Sequence, residues 1–167
     1  MKKVMAAALV LAMGVFAKTV PDTLESKVRH QLLMLPYLTL FDDLSFRVDG
    51  TSVSLFGEVV DPVLKSDAEN VVKRIEGVTA VNDQIEVLPL SPMDNGIRWR
   101  EYRAIFGYAP LQRYALGALP SIHIIVKGGN VTLKGTVATA MDKQLAFMRA
   151  NGVPGVFSVT NELQVEK

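Results

Sequence analysis

The sequence predicts an α+β fold: two tandem αββαβ sandwiches, each a three-stranded mixed sheet packed against two helices. Three observations predict it. First, an ungapped internal repeat carries Val48-Asp49-Gly50, Val53, Leu55, Gly57 and Val59 onto Val126-Lys127-Gly128, Val131, Leu133, Gly135 and Val137, 78 positions later. Self-similarity over such a span bears on architecture before any single motif does. Second, each copy alternates apolar residues at period two on both sides of a glycine turn, as a β-hairpin does. Third, apolar residues recur at helical spacing before and after each hairpin. The register holds downstream, where Gly77, Val81, Ile85 and Val87 correspond to Gly155, Val159, Leu163 and Val165.

Taken in order, the chain opens with Lys2 and Lys3 ahead of an uncharged apolar stretch, Val4 to Phe16. Val15-Phe16-Ala17 suits a signal peptidase, so residues 1–17 are expected to form a signal peptide cleaved after Ala17, with a periplasmic mature chain. The stretch is shorter than the roughly twenty residues a bilayer core demands. An uncleaved anchor or a buried helix is the competing reading.

The first module is expected over residues 18–88. Asp22-Thr23-Leu24-Glu25 starts a helix whose Leu24, Val28, Leu32 and Leu35 share a stripe, and Pro36 ends it. Leu44, Phe46 and Val48 alternate as one strand and Val53 to Val60 as the next. Asp61-Pro62 opens a second helix with Leu64, Ala68, Val71 and Ile75 inward, and Gly77 stops it. Val81, Ile85 and Val87 complete the module. Residues 89–96, with Pro89, Pro92 and Asn95-Gly96, read as a stiff linker.

The second module, residues 97–167, repeats the plan with one change. A short helix is expected from Ile97 to Phe106, then Gly107-Tyr108-Ala109-Pro110 and Leu111 to Leu119 before the strand Ile122 to Val126. A longer unbroken helix is expected at the corresponding place in the first module. The helix near Asp142 to Ala150 ends at Gly152-Val153-Pro154-Gly155.

Composition narrows the function. With no cysteine in the chain, disulfides, thiolate metal sites, a cysteine nucleophile and a lipid-modified cysteine are excluded. The net charge of +1 hides a division: Lys18 to Leu90 carries seven Lys/Arg against twelve Asp/Glu, and Ser91 to Lys167 nine against five. The acidic and basic modules either attract each other or aim the second at an anionic surface. Both readings are open.

No reactive constellation emerges. His30 and His123 lack the companions that a metal or catalytic site requires, and both read as surface positions. There is no Gly-x-Ser-x-Gly elbow, and Gly128-Gly129 opens no helix, so it is a turn and not a phosphate cradle. Asp42-Asp43 and Asp49 lack calcium-loop spacing. No enzyme, metal or cofactor is expected. Nucleic acid is disfavoured by export and by the lack of a Gly-x-x-Gly loop between helices.

The candidate binding residues cluster at the start of the second module. Arg98, Trp99, Arg100 and Arg103 surround an aromatic stripe of Trp99, Tyr102 and Phe106. That stripe is first read as the core face of its helix. The alternative is a headgroup boundary, where amphipathic rings sit beside guanidinium forks. Tyr108, Arg113 and Tyr114 follow in a segment that is either an exposed docking loop or a lid over the core. Phe56 and Ile125 stand at outward strand positions, which two sheets facing each other would hide.

Gly50, Val53, Leu55, Gly57 and Val59 followed by Gly77-Val78, Val81 and Asn82, repeated as Gly128, Val131 to Val137, Gly155-Val156 and Val159 to Asn161, resemble the BON domain. The family is named for bacterial osmotically inducible and nodulation proteins. The resemblance implies an αββαβ sandwich, a non-enzymatic role in the cell envelope under osmotic stress, and binding to phospholipid surfaces or other envelope proteins. The shared residues are structural glycines and core valines, so no ligand residue carries over. The expected partner is anionic phospholipid, bound through the basic second module by peripheral contact. An adaptor or chaperone-like role toward envelope polypeptides, through Tyr108 to Leu119 or a sheet edge, is the rival.

Overall fold

A computed structural model of the chain describes residues 23–117 and 119–166; the segment expected to be a signal peptide lies outside the described residues. Helix α1 (Leu24–Leu33) is capped by Thr23, whose hydroxyl accepts from the Ser26 N–H. Strands β1 (Asp43–Asp49) and β2 (Ser52–Val59) form an antiparallel hairpin. Helix α2 (Pro62–Lys73) starts at Asp61, which caps the Val63 N–H, and β3 (Ala80–Val87) returns parallel to β2. The second copy runs α3 (Pro92–Phe106), a 3₁₀ segment (Ala109–Ala115), β4 (Ile122–Lys127), β5 (Asn130–Val137) and α4 (Ala140–Asn151). It closes with β6 (Ser158–Asn161) and β7 (Gln164–Val165).

The sheets are mixed, as expected, in the orders β1-β2-β3 and β4-β5-β6. In the second, β7 also pairs with β5, which makes four strands. Repeat register explains this: β6 and β7 together occupy the place of β3, broken at Glu162-Leu163. Helices cover one face of each sheet, and each module has its own apolar core. The first gathers Val28, Leu32, Val53, Leu55, Leu64, Ala68, Val72 and Ile85. The second gathers Ile97, Ile105, Leu111, Ile122, Ile124, Leu133, Ala146 and Leu163.

Two expectations need correction. Helix α3 starts at Pro92, so the end of the stretch read as a linker forms its first turns. Ser91 caps it by accepting from the Asp94 N–H, and Pro92 at the first helical position loses no hydrogen bond there. At 15 residues α3 is also longer than α1 with 10, the reverse of what the sequence suggested. Among the described residues, no helix is long and apolar enough to cross a membrane.

The modules dock. The loop after α1 carries Phe41 into the second core, where its ring lies 5.2 Å edge-on from Trp99. The Leu40 carbonyl accepts from the Ile124 N–H at 2.8 Å, satisfying part of the open edge of β4. His123 donates Nδ1–H to the Asp42 carbonyl at 2.6 Å, so it is an interface residue and not a free surface one. Lys134 Nζ bridges Asp43 at 3.1 Å and Glu58 at 2.8 Å, and Lys127 pairs with Glu86. Burial opposes the charge on Lys134, but the hydrogen bonds to Glu58 and Asp43 outweigh it and raise its pKa. Ile125 is buried and Phe56 half-buried, with the Arg47 guanidinium over the Phe56 ring. Part of the charge division is therefore internal.

Candidate functional site

Helix α3 and its neighbour α4 decide which of the candidate residues are available. The inward face of α3 buries Asp94, Ile97, Arg98, Glu101 and Ile105, spaced three or four apart. Three of these five residues are charged, so the core face is not the apolar stripe that the sequence displays. The Asp94 carboxylate accepts from the N–H groups of Gly128 (2.9 Å) and Gly129 (2.8 Å) and so pins the β4–β5 turn. Those are the donors that a phosphate cradle would have used.

Arg98 is only 2% exposed. Its Nη2 donates to the Val126 carbonyl at 2.8 Å, and burial lowers its pKa against the pull of Asp94 and Asp42. Its expected part in a surface patch is corrected accordingly: it ties the helix to β4. Trp99, in contrast, is 49% exposed. The stripe of Trp99, Tyr102 and Phe106 is neither wholly core nor wholly surface. It forms a ladder of tilted and edge-on rings running from Phe41 through Trp99 and half-buried Tyr102 to buried Phe106.

Arg100 and Arg103 face the other way, toward α4. A shallow groove there is lined by Arg100, Arg103, Met148, Arg149, Val153 and Pro154. Arg149 donates Nε–H to the Ala104 carbonyl at 3.0 Å and lies over the Tyr108 ring at 5.1 Å, joining α4 to the end of α3. None of the three arginines lies within 4.0 Å of a carboxylate among the described residues. The groove thus combines three unneutralised guanidinium groups with half-exposed Met148 and, on the adjoining crest of α3, Trp99. Repeat register places Val71 where Arg149 stands. A charge at the site of a valine is the signal in the sequence that marks Arg149, which the motif reading missed.

Arg113 and Tyr114 belong to a separate cluster. Arg113 Nη2, the Tyr114 hydroxyl and the Thr139 hydroxyl all donate to Asp142 Oδ2, at 2.5, 2.8 and 2.6 Å. The Tyr114 hydroxyl also accepts from the Ala138 N–H. Leu111 and Tyr114 are buried, so the 3₁₀ segment is a lid fastened over the second core, with Leu116 as its exposed end. Among the described residues, no group of three or more His, Cys, Asp or Glu side chains is placed to hold a metal ion.

The BON domain model matches residues 22–89 and 113–167. Osmotically-inducible protein Y of Escherichia coli (strain K12) is 30% identical over 135 residues, covering 74% of this chain and 62% of that protein. The chain therefore spans less than two thirds of that relative's length. Two structures of CdsD, a structural protein of the type III secretion system of Chlamydia trachomatis, are matched at low similarity. The first has a TM-score of 0.31 at 13% identity, covering 87% of this chain and 98% of its own. The second has 0.32 at 12%, covering 86% and 93%. Helix α3 lies between the two matched segments.

Proposed function

The chain belongs to the BON domain family, and from that premise we propose that it is an exported, periplasmic, non-enzymatic protein that docks on anionic phospholipid through its second module. One observation carries the reading. Arg100, Arg103 and Arg149 line one groove without a neutralising acid, beside half-exposed Met148 and Trp99. Guanidinium forks bind phosphate oxygens well, and a half-exposed indole suits the headgroup layer. Buried Arg98 and the Asp142-bound Arg113 and Tyr114 play supporting parts. The relation to an osmotically inducible protein supports an envelope location. The 3₁₀ segment is fastened as a lid, which weakens the rival adaptor reading through Tyr108 to Leu119.

Vesicle flotation tests the proposal. The chain is expected to float with phosphatidylglycerol vesicles and not with phosphatidylcholine, and to lose binding as salt shortens the Debye length to a few ångströms. Arg103→Glu with Arg149→Glu is expected to weaken flotation about tenfold or more, since each basic residue near an anionic surface contributes about 1 kcal/mol. Binding indifferent to lipid charge, salt and both substitutions would refute the reading.

A further inference from the structure

The charged residues on the inward face of α3 are not equivalent. Asp94 is satisfied by two backbone N–H groups, and Arg98 donates to a carbonyl beside two acids. Glu101 is fully buried, and neither of its carboxyl oxygens has a hydrogen-bond partner. One turn before and one turn after it on the helix stand Ile97 and Ile105, both fully buried in the second core. A carboxylate in that position would have neither water nor donors to offset its desolvation.

None of the charged groups on the elements packed against α3 hydrogen-bonds to the Glu101 carboxyl. On β4, His123 serves the Asp42 carbonyl and Lys127 serves Glu86. On α4, Asp142 holds Thr139, Tyr114 and Arg113, and Arg149 reaches the Ala104 carbonyl. Lys143 of α4 is half-buried beside Asn161, whose side-chain amide donates to its backbone carbonyl. In the 3₁₀ segment, Arg113 and Tyr114 are held by Asp142. Only Arg100, the preceding residue of α3, favours the charged form of Glu101, and burial outweighs it.

We propose that Glu101 is a proton-dependent latch on α3: neutral, it lets the helix seat against β4 and α4, and ionised, it forces the helix outward until water reaches the carboxylate. The latch lies on the reverse side of the helix that presents Trp99 and Arg103, so the seating of the core and the attitude of the outer face change together. Desolvation pushes the Glu101 pKa up to about 8, which places the transition in mildly alkaline solution. The inference does not depend on lipid binding, and it is read without lipid.

Trp99 is the chain's only tryptophan and stands two positions from Glu101, so its fluorescence reports the seating of α3. The full chain is titrated from about pH 6 to 9, where ordinary Tyr and Lys side chains stay about nine-tenths or more protonated. The expected result is a reversible change with its midpoint near pH 8. Amide protection in α3, corrected for intrinsic exchange, is expected to fall about tenfold across that midpoint while β2 and β3 keep theirs. Glu101→Gln is expected to abolish both effects. A flat wild-type profile, or a transition that survives in Glu101→Gln, overturns the latch. Should that variant not fold, the ¹³C carboxyl resonance of Glu101 in the wild-type chain decides. Titration near 8 upholds the proposal, and titration near the ordinary value of 4.5 overturns it.

Discussion

At Asp142 the carboxylate accepts hydrogen bonds from Thr139, Tyr114 and Arg113, and together these hold its pKa below the usual carboxylate range. At Glu101 no donor is present, and burial moves the pKa the other way, to about 8 from 4.5. The signs of the two stability effects follow. Asp142 contributes stability that is present above its unfolded value and lost as the pH falls through its depressed folded value. For Glu101, the folded chain keeps a proton that the unfolded chain releases between 4.5 and about 8. Stability from this group therefore falls as pH rises through that window, by at most about 1.4 kcal/mol per pH unit, and levels off above it. Urea denaturation at several pH values is expected to show that slope in the wild-type chain and a flatter one in Glu101→Gln. Neither behaviour was legible in the sequence. Glu101 sits among Arg98, Arg100 and Arg103, and a charged run of that kind reads as a solvated face.

At the scale of the element, the hairpins were legible, and so was α3 from Ile97 to Phe106, but not its first turns or its buried face. Period-two alternation and glycine placement fix the hairpins locally. Gly57 and Gly135, in register across the repeat, have φ of +119° and +103°. A side chain at either would strike the carbonyl of Asp43 or Ser121 on the neighbouring chain segment. Gly135→Ala is therefore expected to destabilise by about 2–3 kcal/mol, from strained φ and the displaced backbone. Gly128→Ala, at a left-handed turn position with open space, is expected to cost nearer 1 kcal/mol. Denaturant midpoints of the two variants check this; equal losses would contradict it. The first turns of α3 escaped because Pro92, Asn95 and Gly96 carry the chemistry of a turn. Its inner face mixes Asp94, Arg98 and Glu101 with Ile97 and Ile105, so hydrophobic periodicity selected the aromatic stripe instead. Only a tertiary partner, the Gly128-Gly129 turn, explains why Asp94 is buried.

At the scale of the whole molecule, the two copies are one scaffold. Phe41 comes from the first module and is buried in the core of the second, and Lys134 of the second answers two acids of the first. The sequence showed the charge division but not its direction. Contacts between Phe41 and Trp99, or His123 and Asp42, leave no trace in local spacing. Phe41→Ala is expected to cost about 3–5 kcal/mol, as large-to-small changes in a core do. The loss should be read in amide exchange as reduced protection of α3 and β4, which lie in the other module. Lost protection confined to α1 and β1 would show the modules to be independent.

The proposed docking surface on that scaffold is the groove between α3 and α4. Hydrogen–deuterium exchange of the full chain with and without phosphatidylglycerol vesicles tests this most directly. Slowed exchange is expected over Arg100 to Phe106 and Met148 to Val153, with β1, β2 and β3 unchanged. Slowing confined to the first module or to the 3₁₀ segment, or none anywhere, would contradict it.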